Sequence, residues 1–335
     1  MTASIAAAPL ALTMGEPGGC GPEISIGAWR QLRQSAHTFF IIADPDLFEP
    51  ADIVRIKVPK DAPSVFSKGL PVLPLSQTVN ATPGAASPAN ASAVIESIRS
   101  AVEYALNGDA SGIVTNPIQK SALLASGFTF PGHTEFLADL TMATPMPAQR
   151  TRGPVMMIAG PALKTVPVTI HLSVRDAAQK LTADMIQHAG RVVAEAMRHE
   201  FGVASPRLAI SGLNPHAGER GALGAEDDRV IAPAVAALKA DGVEAFGPLP
   251  ADTMFHEEAR ATYDVALCML HDQALIPAKT LSFHDAVNVT LGLPIVRTSP
   301  DHGTALDIAG KGKARADSLI AAIKLAASMA ARRSQ

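Results

Sequence analysis

The sequence has few cysteines, little excess charge and no long apolar run, and each shortage excludes a class of protein. Its 335 residues include only two cysteines, Cys20 and Cys268, which argues against a disulfide framework and is typical of a reducing compartment. A formal net charge of -3 gives no electrostatic reason to bind nucleic acid. No apolar stretch approaches the roughly 18 residues of a membrane helix. We therefore expect a cytoplasmic protein without nucleic-acid or membrane partners.

The order of elements along the chain predicts an α/β fold, because short apolar strands alternate with helical patterns. The first ten residues contain no lysine or arginine before their apolar part, which argues against a signal peptide. That apolar part leads into a strand predicted at Leu10–Met14. Further strands are expected at Phe39–Ala43 and Gly112–Thr115, and residues 59–89 are interpreted as an irregular surface excursion.

Three helices carry recognisable signals. Asn90 is a candidate N-cap for a helix whose apolar residues recur every four positions until Gly108. Ser173 and Asp176 have the spacing of a capping box, so we expect one helix there that continues past Val192. The alanine-rich stretch 320–332 predicts a final helix.

Three histidines stand just after short apolar runs: His171 follows a run ending at Ile170, His216 follows Leu213 by three residues, and His271 follows Leu270. Apolar runs without polar alternation are typical of buried parallel strands. Ligands of open α/β sheets bind beyond the carboxyl ends of such strands. A single histidine in such a position would be interpreted as an ordinary hydrogen-bonded residue. Because three occur in equivalent positions, we predict that the imidazoles bind a divalent metal.

Other motifs are less specific when taken singly. The glycine-rich stretch 15–23 lacks the spacing of a dinucleotide-binding loop and is interpreted as a tight turn. His133 and Thr134 follow a glycine, so they either bind an anion or begin a helix. Lys279 and Arg297 are candidate phosphate or carboxylate ligands, and Arg297 offers a planar fork for either group.

Several long motifs together resemble the 4-hydroxythreonine-4-phosphate dehydrogenase family of vitamin B6 biosynthesis. They are Gly132–Phe136, Asn214–Glu219, Pro248–Thr253, His271–Gln273 and Val287–Pro294, and the resemblance covers the whole chain. The two ends of the chain also resemble isocitrate and isopropylmalate dehydrogenases. The resemblance implies an isocitrate/isopropylmalate dehydrogenase-like fold with two α/β domains and an active-site cleft. It also implies a homodimer whose metal sites draw histidines from both subunits, with His271 expected to cross over.

The same resemblance assigns roles to individual residues. It implies a dinucleotide-binding domain formed by residues 1–130 with 285–335, and a metal-binding and dimerisation domain at 131–284. His171, His216 and His271 match the metal ligands; the substrate residues match His133, Thr134, Lys279, Asn288 and Arg297; His302, Gly303 and Asp307 match a cofactor segment. Departures from the family pattern occur at Cys20, Ile170, Leu270 and Ala274, and they leave every matched ligand in place.

The expected reaction is the NAD- or NADP-dependent oxidation and decarboxylation of 4-phosphooxy-L-threonine to 3-amino-2-oxopropyl phosphate. Three imidazoles suit Zn²⁺ or Co²⁺ better than Mg²⁺. Candidate proton carriers are Lys279, Asp272 and Asp252. Alternatives are a related dehydrogenase for a phosphorylated threonate or erythronate or an aromatic dihydrodiol, a three-histidine metal hydrolase, and a non-catalytic phosphate-binding protein.

Overall fold

The computed structural model describes residues 8–48 and 51–333, so most of the N-terminal segment discussed above lies outside the described residues. The chain divides into two compact units. The first comprises Met1–Pro145 with Leu293–Gln335, and the second is Met146–Gly292. Residues 131–145 therefore belong to the first unit and residues 285–292 to the second, whereas the sequence-based division put each stretch in the other domain. The reason lies in packing: the helix after Gly132 contacts a helix of the first unit, and the strand at 287–291 pairs within the second.

The first unit contains a parallel β-sheet and α-helices. Its strands are β1 (Leu10–Thr13), β2 (Phe39–Ala43), β3 (Ile53–Arg55), β4 (Leu70–Pro74), β5 (Ile113–Val114) and, much later in the chain, β12 (Arg297–Pro300). Its helices are α1 (Gly21–Leu32), α2 (Ala62–Val65), α3 (Ala91–Leu106), α4 (Lys120–Ala125), α5 (His133–Leu140) and α11 (Asp317–Arg333).

The strand order of the first unit is β3-β4-β2-β1-β5-β12, and each neighbouring pair is parallel. Leu12 lies opposite both Ile41 and Val114, which sets the register of the central strands. The side chains of β1 and β2 are buried throughout because these strands are apolar on both faces. This arrangement puts the ends of β1, β5 and β12 at one edge of the sheet, where the polar side chains of the first unit gather.

The second unit contains a mixed sheet. Its strands are β6 (Val155–Ala159), β7 (Lys164–Pro167), β8 (Arg207–Ser211), β9 (Glu244–Leu249), β10 (Val265–Cys268) and β11 (Val287–Leu291). Its helices are α6 (Val174–Lys180), α7 (Ala183–His199), α8 (Ala232–Ala240), α9 (Glu257–Arg260) and α10 (His271–Leu281).

The strand order of the second unit is β11-β6-β7-β10-β8-β9. The β11–β6 and β6–β7 pairs are antiparallel, whereas β7, β10, β8 and β9 run parallel to one another. Leu267 lies opposite Val166 and Ile210, so β10 is central between the two strands. The carboxyl ends of β7, β10 and β8 therefore meet at one edge, and each leads to one of the three histidines singled out above.

The interpretation of residues 59–89 as an irregular excursion was wrong. They contain β4, whose first four residues are buried between β2 and β3. Pro71 and Pro74 obscured this strand in the sequence, because proline usually argues against an internal strand. The helix expected after His171 was also too long: it ends at Lys180, and Thr182 caps a separate helix by accepting a hydrogen bond from the Met185 N–H.

Other predicted elements are confirmed with small changes. The helix after Asn90 runs to Leu106, but the Asn90 side chain makes no capping bond and donates instead to the Asn80 carbonyl. Ser173 caps α6 as expected by accepting from the Asp176 N–H. The final helix begins at Asp317, three residues earlier than predicted. Within the described residues, no helix is both long enough and apolar enough to cross a membrane.

Candidate active site

Two of the three predicted metal histidines lie side by side in the second unit. After β7, the Val168 and Thr169 N–H groups still donate to the Cys268 and Met269 carbonyls, so the two chain segments leave the sheet together. His171 and His271 follow, and their ring centroids are 6.2 Å apart. His271 is the first residue of α10, and its Nδ1 lies 2.7 Å from the Asp272 carboxylate.

The contact between His271 and Asp272 fits a metal ligand. A carboxylate beside Nδ1 favours the tautomer with the proton on that atom, which leaves the Nε2 lone pair available to a metal ion. His171 has a left-handed backbone with φ of 48°, an unfavourable conformation for a residue with a side chain. The donor chemistry of both residues and the backbone strain at His171 suit a metal-binding function.

His216 is presented by an unusual loop. Four non-glycine residues of the loop have positive φ: His216 (52°), Ala217 (52°), Glu219 (45°) and Arg220 (57°). Each such residue costs roughly 1–2 kcal/mol relative to the right-handed region. Strain of this size persists only where surrounding contacts fix the backbone, and it is concentrated at functional sites.

The contacts that fix this loop come from a buried carboxylate that the sequence reasoning missed. Asp227 accepts hydrogen bonds from the Leu213 N–H at 2.9 Å, the Asn214 N–H at 3.3 Å and the Asn214 Nδ2 at 2.9 Å. Gln273 makes a second link: its Nε2 donates to the Gly212 carbonyl, and its Oε1 accepts from the Leu270 N–H. Gln273 thus connects the start of the His216 loop to the strand end that precedes His271.

A complete three-ligand set is not assembled within one chain. Among residues 8–48 and 51–333, no group of three or more histidine, cysteine, aspartate or glutamate side chains has the arrangement of a metal site. The structure brings His171 and His271 together but does not bring His216 into the same group. The three residues are therefore alike in donor type and in their position after parallel strands, and the described chain brings two of them together.

The candidate proton carriers lie in different places. Lys279 lies two turns after His271 on α10, and both residues line a groove together with Asp272, Leu275, Ile276, Thr280 and Phe283. Asp272 contacts His271 directly, so its position suits the orientation of that ring. Asp252 is exposed in the short turn Ala251–Thr253 after β9. Asn288, a predicted substrate residue, lies in β11 opposite Ile158.

The first unit contains a separate cluster of basic groups. Arg297 begins β12 and is only 4% exposed, and its Nε and Nη2 donate to the Thr115 hydroxyl at 3.2 and 2.7 Å. Burial lowers the pKa of Arg297 to about 10, which still leaves the guanidinium charged at neutral pH. His133 begins α5, and Thr134 follows it. A buried guanidinium whose charge is retained is a strong ligand for phosphate or carboxylate.

His133 completes this cluster as a neutral group. Its Nε2 is buried and makes no hydrogen bond within the described part of the chain. Burial, followed by the charges of Arg297 and Lys120, holds the pKa of His133 well below its usual range. A buried nitrogen that makes no hydrogen bond among the described residues and lies near two cations suits an anionic group, which could accept a hydrogen bond from it.

Lys120 was not predicted, although the sequence contained a signal for it. It is the first residue of α4, and it follows the end of β5 much as the histidines follow their strands. Its Nζ is 3.6 Å from the point that a Cβ on Gly132 would occupy, as is the Glu135 carboxylate. Its position after a buried strand could therefore have identified Lys120 as a candidate site residue, as it did the three histidines.

The predicted cofactor residues His302, Gly303 and Asp307 lie in an exposed segment between β12 and α11. The glycine-rich turn fixes part of this segment: the Cys20 N–H donates to the Thr304 carbonyl, and a Cβ on Gly19 would come within 2.9 Å of the same oxygen. Glu23 accepts from the Gly310 and Ala314 N–H groups. The turn at 15–23 therefore has glycines for close backbone packing, as the sequence interpretation expected.

Comparison with known proteins identifies the family. The family profile described as "Pyridoxal phosphate biosynthetic protein PdxA" matches residues 24–326. A 4-hydroxythreonine-4-phosphate dehydrogenase of Methylorubrum populi is 53% identical over 335 residues, covering 97% of this chain and 95% of the relative. The chain belongs to the PdxA family.

Solved structures agree with this assignment. The 4-hydroxythreonine-4-phosphate dehydrogenase of Klebsiella pneumoniae is 37% identical, with a TM-score of 0.84, and the match covers 97% of this chain and 98% of that one. A terephthalate 1,2-cis-dihydrodiol dehydrogenase of Burkholderia xenovorans is 25% identical, with a TM-score of 0.63, covering 96% and 98%. The predicted α/β dehydrogenase fold is confirmed by these PdxA-family and dehydrogenase structures.

Proposed function

We propose that this protein is a 4-hydroxythreonine-4-phosphate dehydrogenase of pyridoxal and pyridoxine 5'-phosphate biosynthesis. The substrate would be 4-phosphooxy-L-threonine and the products 3-amino-2-oxopropyl phosphate, carbon dioxide and reduced nicotinamide cofactor. The observation that supports the proposal is the buried Arg297 guanidinium near the buried Nε2 of His133, a pair suited to an anionic group in a chain of a dehydrogenase family. It supports a phosphorylated substrate over an uncharged one.

Each proposed role follows from the residue's chemistry. Arg297 and His133 would bind the phosphate with Thr134, while Lys279 and Asn288 would hold other parts of the substrate. His171, His216 and His271 would hold a divalent ion, for which Zn²⁺ or Co²⁺ suits imidazole better than Mg²⁺. Such an ion, when bound, acidifies the substrate hydroxyl and stabilises the enolate left by decarboxylation.

The protein groups would orient the substrate and move protons. Asp272 would hold the His271 ring through Nδ1. Lys279, which lines the same groove as His271, is the proton carrier that its position favours over the exposed Asp252. Hydride would pass to NAD⁺ or NADP⁺, so the nicotinamide carries the redox step and the protein supplies orientation.

A homodimer with shared metal sites is the second part of the proposal. Exposed apolar side chains surround His171 and His271, and Val174 and Phe283 are each 74% exposed. Leu172 and Ile276 are also exposed, and each lines a groove that contains His271. An apolar surface around His171 and His271, two of the three proposed ligands, supports the proposal that a second copy of this chain packs against it. The two buried free cysteines support a cytoplasmic location.

Removal of the Arg297 side chain tests phosphate recognition. Arg297→Ala should lower kcat/KM for 4-phosphooxy-L-threonine by roughly ten- to a hundredfold, because a buried charged hydrogen bond contributes about 1.5–3 kcal/mol. The dephosphorylated analogue should lose far less. Steady-state assays of reduced-nicotinamide absorbance measure both, with the exposed Arg55→Ala as a control that should resemble wild type.

Two results would count against this assignment. Equal losses for both substrates would mean that Arg297 does not bind the phosphate. Oxidation of an aromatic cis-dihydrodiol in preference to the phosphorylated compound would instead favour the activity named for the Burkholderia xenovorans protein.

Substitution of Asp307 tests the cofactor segment. Asp307→Ala should weaken NAD⁺ binding about tenfold while metal affinity stays unchanged, because the resemblance to isocitrate dehydrogenases assigns this segment to the dinucleotide. Calorimetric titration with NAD⁺ measures the effect, and the exposed Asp109→Ala is the control. An unchanged NAD⁺ affinity in Asp307→Ala would mean that Asp307 is a solvated turn residue that does not bind the cofactor.

A further inference from the structure

Asp227 is a fully buried carboxylate whose contacts are all directed to the loop that carries His216. Its exposure is 0%, and it is the first residue of the helical turn Asp227–Ile231 that leads into α8. Oδ1 accepts from the Leu213 N–H, while Oδ2 accepts from the Asn214 N–H and Nδ2. Both oxygens of the carboxylate are therefore used to hold the residues that directly precede Pro215 and His216.

Glycines let the loop close tightly around this carboxylate. A Cβ on Gly212 would lie 2.6 Å from the Asp227 Oδ1, and one on Gly218 would lie 3.0 Å from Oδ2. The backbone therefore approaches Asp227 on both sides of His216, before and after it in sequence. Gly218 also has positive φ (77°), as the residues around it do.

This arrangement explains how the left-handed run from His216 to Gly221 is maintained. A single glycine in that conformation is ordinary, but a run of six residues, four of which carry side chains, is disfavoured unless other contacts determine it. Asn214 extends the network, because its Nδ2 also donates to the Glu226 carboxylate at 2.9 Å. The loop is thus tied at its start to two successive acidic residues that follow it.

We propose that Asp227 is a positioning residue that fixes the His216 loop so that the imidazole is presented for metal binding. The inference rests on the proposed function, because it takes His216 as a metal ligand. Asp227 itself touches neither metal nor substrate in this proposal. Its contribution is the fixed direction of a ligand that lies on an irregular loop, whereas His271 is fixed by a helix and by Asp272.

The test compares Asp227→Asn with Asp228→Asn, which removes the same charge from the exposed neighbouring residue. Asparagine at 227 retains the size of the side chain but replaces one acceptor oxygen with a donor. Metal-free proteins are titrated with Co²⁺, and its visible absorption spectrum reports both affinity and ligand geometry. We expect Asp227→Asn to bind Co²⁺ at least about tenfold more weakly and with a changed spectrum at saturation. Asp228→Asn should match wild type in both.

Asn214→Ala is the second variant, because it removes the Nδ2 bonds and leaves the buried carboxylate in place. Like Asp227→Asn, it should bind Co²⁺ more weakly than the wild-type protein does. It provides the test of the positioning role if Asp227→Asn does not fold. If Asp227→Asn folds and binds Co²⁺ with wild-type affinity and spectrum, the positioning role of Asp227 is overturned, while the metal site stands. If Asp227→Asn does not fold, the same result in Asn214→Ala leads to the same conclusion. Failure of the wild-type protein itself to bind Co²⁺ would overturn the proposed metal site together with this inference.

Discussion

Removal of the divalent ion is expected to abolish turnover, and restoration of Zn²⁺ or Co²⁺ should recover it. The three predicted ligands are imidazoles that follow adjacent parallel strands, and the Nδ1 of His271 already contacts Asp272. Substrate oxidation depends on lowering the pKa of a secondary hydroxyl, for which the protein groups alone are poorly suited. His171→Ala, His216→Ala and His271→Ala should each lower kcat by more than about a hundredfold.

The appropriate control for these substitutions is His188→Ala, because His188 is an exposed histidine on α7 in the same unit. Metal content measured by mass spectrometry should fall in the three ligand variants and remain at the wild-type value in His188→Ala. Circular dichroism should show retained secondary structure in all four. Undiminished turnover by wild-type protein from which the metal has demonstrably been removed would contradict the metal-assisted mechanism.

Complementation between inactive chains should restore activity if the metal site is shared. A mixture of His216→Ala and His271→Ala chains, unfolded together and reassorted, forms mixed dimers in about half of the cases. If the two histidines reach a site from different subunits, each mixed dimer has one intact site and one site with both lesions. Recovery should therefore be about a quarter of wild-type activity.

The three pairings together identify the histidine that crosses over. If His271 crosses, as we expected from the sequence, His171→Ala with His271→Ala also recovers and His171→Ala with His216→Ala does not. The 6.2 Å separation of the His171 and His271 rings favours His216 as the residue that crosses instead. In that case His171→Ala with His216→Ala recovers activity, and His171→Ala with His271→Ala does not. The mixture of His216→Ala with His271→Ala recovers in either case. Absence of recovery there, with mixed dimers verified by native mass spectrometry, would contradict both assignments.

The elements that the sequence predicted well are those whose signal is local. Apolar runs located the strands before His171, His216 and His271, because a buried parallel strand requires an apolar face on both sides. Parallel pairing of β7, β10 and β8 then follows from ordinary α/β topology. The alignment of the three strand ends at one edge could therefore be anticipated.

What the sequence did not predict depends on contacts between distant residues. The left-handed backbone at His216 follows from Asp227 and from glycines on both sides, and no local pattern reveals that Asp227 meets these glycines. The environment of His133 depends on Arg297, which is brought beside it by the strand order of the first unit. β4 was missed because Pro71 and Pro74 interrupt a pattern that otherwise favours a strand.

The division of the first unit into two separated chain segments has a consequence for biosynthesis. Arg297 bonds to Thr115, a residue 182 positions earlier, and β12 is the strand that covers the outer side of β5. A ribosome must therefore synthesise the whole second unit before this sheet acquires β12 and the cluster acquires its guanidinium. The second unit, in contrast, is continuous, and the Gly153 N–H donates to the Gly292 carbonyl where its chain enters and leaves. During synthesis the second unit can fold as soon as it emerges, whereas the bond between Arg297 and Thr115 must wait for a segment made after the whole second unit.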